Sequence, residues 1–391
     1  MGVRARGQAP FGRDLLRQRR TRHTERVDRR EDRRVGGRGS RYRRNPAGSS
    51  GRRIHAHDHH QERLIQTMAV GFADRLLTAI EARRAPAVVA LDPVWELLPE
   101  PLTRGAALGD AQAVLAGIRA FSRRIIEVIA PIVPAVKINS AYFERYHSAG
   151  VALFDELIGY ARQCGLITIA DCKRGDVGHT AEMYARACLG EWGASAEAIR
   201  LAPEAPSFSV HADAVTVNGY FGLDGVKPFI DAARAHGRGV FVLVRTSNPS
   251  AATIQDVALA DGRKVHEAVA AQVDAWSREP ALLGELGYSA IGAVVATRDK
   301  YDAARLRARM PASIFLVPGY GAQGGQAADF APYFDTSGRG ALIAAGRSVI
   351  FAYREVAHRA ACADDWPSAV ESACRTFAGD VSTLTGSTRL R

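Results

Sequence analysis

The chain has 391 residues, 47 % of them hydrophobic and 24 % charged, and a formal net charge of +11. Its five cysteines form no CxxC pair and are odd in number, which excludes a disulfide framework and fits a reducing compartment. No apolar run approaches the ~20 residues of a membrane span, so the composition describes a soluble, cytoplasmic protein.

The charge is unevenly placed. Residues 1–67 hold 19 Arg, no Lys and 7 acidic residues, a net +12, which leaves −1 for the remainder. This segment has few apolar residues and no helical or strand period, so it cannot bury enough surface to order itself. It has no apolar stretch of the secretory type, and acids interrupt its arginines, unlike those of a transit peptide. An arm for RNA or a membrane surface is one reading of it. Against that, only Phe11 and Tyr42 could stack on bases. The tract His55, His57, His59 and His60 lacks a scaffold to fix a metal. We read residues 1–67 as an extension outside the folded body, with no membrane, nucleic-acid or metal partner. Met68 is then the start of the domain, which spans 68–391.

From there, eight short apolar runs alternate with amphipathic stretches. The predicted strands are Ala87–Asp92, Ala135–Asn139, Leu166–Asp171, Ala214–Asn218, Val240–Arg245, Ile291–Ala296, Ser313–Val317 and Ala341–Ala345. Helical patterns between them include Asp110–Ile129 and Ala141–Cys164. Strands that are apolar on both faces imply a parallel sheet covered by helices. Eight such units predict an α/β fold, a (β/α)8 barrel of the TIM type, with a doubly wound open sheet as the alternative. Asp92, Lys137, Asp171, Lys173, Asn218, Ser247, Asn248, Gln323 and Arg347 sit at strand ends. In a barrel these ends converge on one rim.

The third strand is the most informative. LITIADCKRGDVGHT, Leu166 to Thr180, ends in two carboxylates, Asp171 and Asp176, that bracket the ammonium of Lys173. Strand alternation predicts that Asp171 and Lys173 share a face, after which Gly175 turns the chain and Asp176 sits on the loop. Barrel enzymes carry catalytic groups at such ends, and this cluster suits holding a charged lysine against an anionic carbon.

A second motif, VPGYGAQGG, spans Val317 to Gly325 and contains a formal GxGxxG at Gly319, Gly321 and Gly324. It lies late in the chain, and no later strand supplies the acidic ribose ligand of a dinucleotide fold. Its glycines instead suit backbone N–H groups approaching a phosphate. The eighth strand runs into Gly346-Arg347-Ser348, and a guanidinium at a helix start is a phosphate site of the kind barrels build there. A phosphorylated substrate follows from the two loops together.

These motifs, with VKIN before them and AAGRS after, resemble orotidine 5′-phosphate decarboxylase over residues 68–360. KRGDVGHTA and TSNPSA resemble its bacterial subgroup with enlarged loops. The resemblance implies a homodimeric barrel with shared active sites that converts orotidine 5′-monophosphate to uridine 5′-monophosphate without metal or cofactor. It implies catalytic roles for Lys137, Asp171, Lys173 and Asp176, the last reaching the partner's site. It also implies ribose binding by Asp92, a cross-dimer approach by Thr180, pyrimidine reading by Ser247 or Asn248, and phosphate binding by Gln323 and Arg347 in the loops of Pro318 and Gly346. Asn218-Gly219-Tyr220 departs from the family, where a proline is expected after the asparagine. Two alternatives stand beside this reading. One is a Mg²⁺-dependent sugar-phosphate decarboxylase or aldolase of similar barrel, which needs an acid where this chain has Lys137. The other is an RNA-associated protein using the basic segment.

Overall fold

The strands close on themselves in chain order. The computed structural model describes residues 71–105, 109–190, 211–297, 299–321, 325–355 and 365–386. Within it β1 (Ala87–Leu91), β2 (Ala135–Asn139), β3 (Ile167–Arg174), β4 (Ala214–Asn218), β5 (Gly239–Arg245), β6 (Ser289–Val295), β7 (Ser313–Pro318) and β8 (Ala341–Ala345) form one closed parallel barrel. Val88 of β1 pairs with Ala135 on one side and Ala344 on the other, which shuts the sheet. The barrel reading is borne out and the open-sheet alternative is not. The segment 1–67, Cys362 and Gln323 lie outside the described residues.

Among the described residues eight longer helices accompany the barrel: α1 (Phe72–Arg83), α2 (Ala111–Ile129), α3 (His147–Gln163), α4 (Gly178–Leu189), α5 (Leu223–His236), α6 (Val265–Ser277), α7 (Lys300–Arg309) and α8 (Trp366–Gly386). α2 starts where the sequence predicts. Asp110 Oδ1 accepts from the backbone N–H of Gln112 at 3.1 Å and Ala113 at 3.0 Å, an N-cap that satisfies two otherwise orphaned donors. Val114, Ile118, Phe121, Ile125 and Ile129 then form its buried stripe. The stretch Ala141–Cys164 is two pieces rather than one helix: a turn at Ala141–Glu144, then α3. His147 at the break has φ +55°, and Gly150 lies so close to the Phe143 carbonyl that a Cβ would approach it within 2.0 Å.

The lumen is packed with aromatic side chains set against glycines. Phe72 meets Phe241 edge-on at 5.9 Å, and the Phe72 ring occupies the space a Cβ on Gly239 would need. Phe241 in turn lies against Gly292. At the N-terminal rim Asp213 closes the barrel with charge. Its Oδ1 accepts from Arg75 at 3.2 Å and Arg238 at 3.1 Å, and its Oδ2 from the Thr168 backbone N–H at 3.0 Å and hydroxyl at 3.1 Å.

Candidate active site

The site begins at an irregularity in β3. Ala170 pairs with Val215 and Arg174 with Val217, so Asp171, Cys172 and Lys173 together face Thr216 alone. Simple alternation therefore fails here. Lys173 adopts φ +46°, a left-handed conformation that costs a non-glycine residue about 1–3 kcal/mol and is found where surroundings over-determine it. Thr216 fixes the bulge: its Oγ1 accepts from the Lys173 backbone N–H at 3.0 Å and donates to Asp171 Oδ1 at 2.9 Å. Gly175 does not adopt the positive φ that only glycine takes freely. It instead permits close approach by Asn218 and Phe221, each 3.1 Å from where a Cβ would sit.

Asp171 is gripped from both sides. Lys137 Nζ of β2 lies 2.5 Å from Oδ2, and Lys173 Nζ lies 2.7 Å from Oδ1. Burial raises the Asp171 pKa, but Lys137 and Lys173 more than reverse this and hold the carboxyl at about 2. Burial likewise opposes the charge on Lys137, and Asp171 and Asp92 outweigh it, so that its pKa is raised. Lys137 is buried, whereas the Lys173 side chain is 48 % exposed. Asp92 is pushed above the usual carboxylate range by burial, with Asp171 adding to the shift and Lys137, Lys173 and Arg347 opposing it. Its Oδ1 is buried with no hydrogen-bond partner among the described residues.

These groups line a cavity of about 510 Å³ at the C-terminal rim. Asp92, Lys137, Asp171, Lys173, Ser247, Pro318, Gly346 and Arg347 all face it. Asn248 does not; it is exposed and accepts from the Thr246 hydroxyl at 2.6 Å. Asp176 and Thr180 are also absent from the lining, and Asp176 Oδ1 accepts from the Val177 N–H at 2.8 Å. The expected role of Gln323 falls outside the described residues. The helix after β8 is a single turn, Arg347–Ile350, so that end of the cavity offers Arg347 rather than a long helix dipole; the neighbouring Ser348 Oγ is buried with no partner among the described residues. Gly321, at φ +72°, lies against Ser348 so closely that a Cβ would come within 2.7 Å of its hydroxyl.

Sequence reasoning missed Thr216, Tyr142, Thr246 and Tyr320, all cavity-lining. Thr216 had a signal: within the strand AVTVN it shares a face with Asn218.

A closed parallel barrel with alternating charges around a cavity at its C-terminal rim defines the class of barrel enzymes, whose active sites lie at that rim. Comparison with known proteins narrows the class. Residues 86–361 match the family described as Orotidine 5′-phosphate decarboxylase / HUMPS, and the chain belongs to that family. It is 39 % identical over 303 residues to the orotidine 5′-phosphate decarboxylase of Rhodopirellula baltica, covering 77 % of this chain and 96 % of that one. The corresponding protein of Caldicellulosiruptor saccharolyticus is 34 % identical over 295 residues, with 74 % and 92 % covered. The structure of Leishmania donovani OMP decarboxylase matches with a TM-score of 0.58 and 26 % identity, over 81 % of this chain and 99 % of that one.

Proposed function

We infer that the protein is a carboxy-lyase that decarboxylates orotidine 5′-monophosphate to uridine 5′-monophosphate, the last step of de novo pyrimidine nucleotide synthesis. One observation carries the mechanism: a buried carboxylate held between two ammonium groups, one of them half-exposed on a strained backbone beside the cavity. When the bond from the pyrimidine C6 to its carboxylate breaks, CO₂ leaves and the electron pair stays on C6, where no conjugated carbonyl takes it up. Preorganised positive charge is then the main stabilisation available. Lys173 supplies it and delivers its proton to C6, and solvent reprotonates the amine. Asp171 holds the Lys173 ammonium in place through its hydrogen bond, and repels the substrate carboxylate until CO₂ departs. Lys137 neutralises Asp171 from behind. Asp92 takes a ribose hydroxyl, Ser247 reads the pyrimidine, and Arg347 with the Pro318–Gly321 turn holds the phosphate, whose binding offsets the cost of closing the site.

The Mg²⁺-dependent alternative is poorly served by this donor set. Both Asp171 oxygens are engaged by ammonium groups, and a second-strand lysine repels a divalent cation. The discriminating assay is the loss of orotidine monophosphate absorbance with and without EDTA. Turnover indifferent to EDTA is expected, and no turnover of orotidine monophosphate with or without added Mg²⁺ favours the sugar-phosphate reading.

The same reading makes the protein a homodimer with shared sites. Asp176 and Thr180 follow β3 yet stay out of their own cavity, while Val177, Met183 and Tyr184 on that segment, and Tyr220 and Phe221 after β4, expose apolar surface. A two-fold contact through this face carries Asp176 to the partner's site. Asp176→Ala and Lys173→Ala are then each nearly inactive. Equal mixing with subunit exchange restores roughly a quarter of wild-type activity, since about half the dimers hold one intact site. Exchange without recovery assigns Asp176 to its own chain's site.

A further inference from the structure

Helix α8 lies beyond the matched family region, which ends at residue 361. Its apolar stripe, Trp366, Ala369, Val370, Cys374, Phe377, Ala378 and Val381, is buried against the barrel's helices and turns. Trp366 stacks on Phe121 of α2 at 5.3 Å and meets Tyr353 at 6.0 Å. This anchoring has one consequence at the cavity. Phe377 packs on the ring of Tyr320 with centroids 4.6 Å apart, and the exposed Asp380, one turn on, accepts a hydrogen bond from the Tyr320 hydroxyl.

Tyr320 lines the cavity and stands between two glycines of left-handed φ, Gly319 at +129° and Gly321 at +72°. Glycines here leave the backbone free to swing. Within the turn itself, the described residues offer two backbone bonds: Gly321 N–H to Gly325 O at 3.1 Å and Gly325 N–H to Gly319 O at 3.3 Å. Among the described residues of that turn Tyr320 carries the large side chain, and its ring packs against Phe377 of α8 and against Phe330, at 6.4 Å. The turn is in contact with Ser348, next to Arg347.

We propose that α8 is a brace for the phosphate end of the site, with Asp380 and Phe377 acting as positioning residues through Tyr320. The proposal rests on the functional reading above. Asp380 is solvent-exposed, so its substitution leaves the helix packed, and it touches no group of the cavity other than Tyr320's hydroxyl among the described contacts.

The test is a KM-against-kcat split in the full-length enzyme, with binding of uridine monophosphate and of uridine measured beside it. Asp380→Ala is expected to raise KM for orotidine monophosphate and Kd for uridine monophosphate by about fivefold to tenfold, the net worth of one ordinary hydrogen bond. Uridine binding and the melting temperature stay at wild-type values, and kcat at saturation falls less than KM rises. Tyr320→Phe should reproduce the split. Asp380→Asn, which retains an acceptor oxygen, should restore most of the phosphate-dependent affinity. Unchanged monophosphate binding in both Asp380→Ala and Tyr320→Phe overturns the proposal. So does an equal loss for uridine and its monophosphate, which marks a merely structural role. A wild-type enzyme inert toward orotidine monophosphate would instead sink the functional reading itself.

Discussion

Two buried aspartates sit at opposite ends of this barrel in nearly the same company. Asp213 at the N-terminal rim meets Arg75, Arg238 and the Thr168 hydroxyl; Asp171 at the C-terminal rim meets Lys137, Lys173 and the Thr216 hydroxyl. Charge arrangement alone therefore does not make a site. At Asp213 the cations are guanidiniums, which do not give up a proton at ordinary pH, and a backbone N–H completes the cage. At Asp171 the cations are amines able to exchange a proton. One of them stands on a left-handed backbone, half-exposed beside a cavity of about 510 Å³. On the proposed function the first cluster is a staple and the second a device for moving a proton.

Breaking the staple should cost the most stability. Asp213→Ala removes the carboxylate that Arg75, Arg162 and Arg238 share, and urea unfolding should show a loss of about 3–5 kcal/mol. The kcat of the protein that remains folded should match wild type; a parallel fall in kcat would erase the distinction between the two ends. The pH dependence sharpens it further. The Asp171 carboxyl, at about 2 in the fold against an ordinary 3.8, stabilises the folded state above pH 4. That contribution, about 2 kcal/mol, is lost as pH falls from about 4 through about 2. Comparing acid unfolding of wild type and Asp171→Asn isolates it, because the variant lacks the carboxyl that titrates in this window. Equal acid sensitivity in the two proteins would mean that the lysines do not depress this group. Smallest is the backbone effect: Lys173→Gly should be about 1 kcal/mol more stable than Lys173→Ala, since glycine adopts positive φ without penalty. Equal stability would place the strain elsewhere.

The catalytic end was legible from sequence because its key residues are contiguous or lie at the ends of apolar strands whose period is plain. Asp171 and Lys173 are two apart, and β2, β4 and β8 have the predicted bounds. The staple was not legible, because Arg75 and Asp213 are 138 residues apart and only the closed barrel brings them together. The bulge in β3 was hidden for a related reason. Alternation assumes an even ladder, whereas the extra length of Asp171–Lys173 is absorbed by a hydroxyl from the neighbouring strand. The brace on Tyr320 depends on a helix some 60 residues further along, with no local motif to announce it.

Turnover of orotidine monophosphate by Lys173→Ala tests whether Lys173 is both the stabilising cation and the proton donor at C6. A kcat at least about 100-fold below wild type is expected, as removal of one such preorganised group costs about 2.7 kcal/mol or more, with the melting transition preserved. A folded variant that keeps more than roughly a tenth of wild-type kcat, a barrier change below about 1.4 kcal/mol, would contradict it.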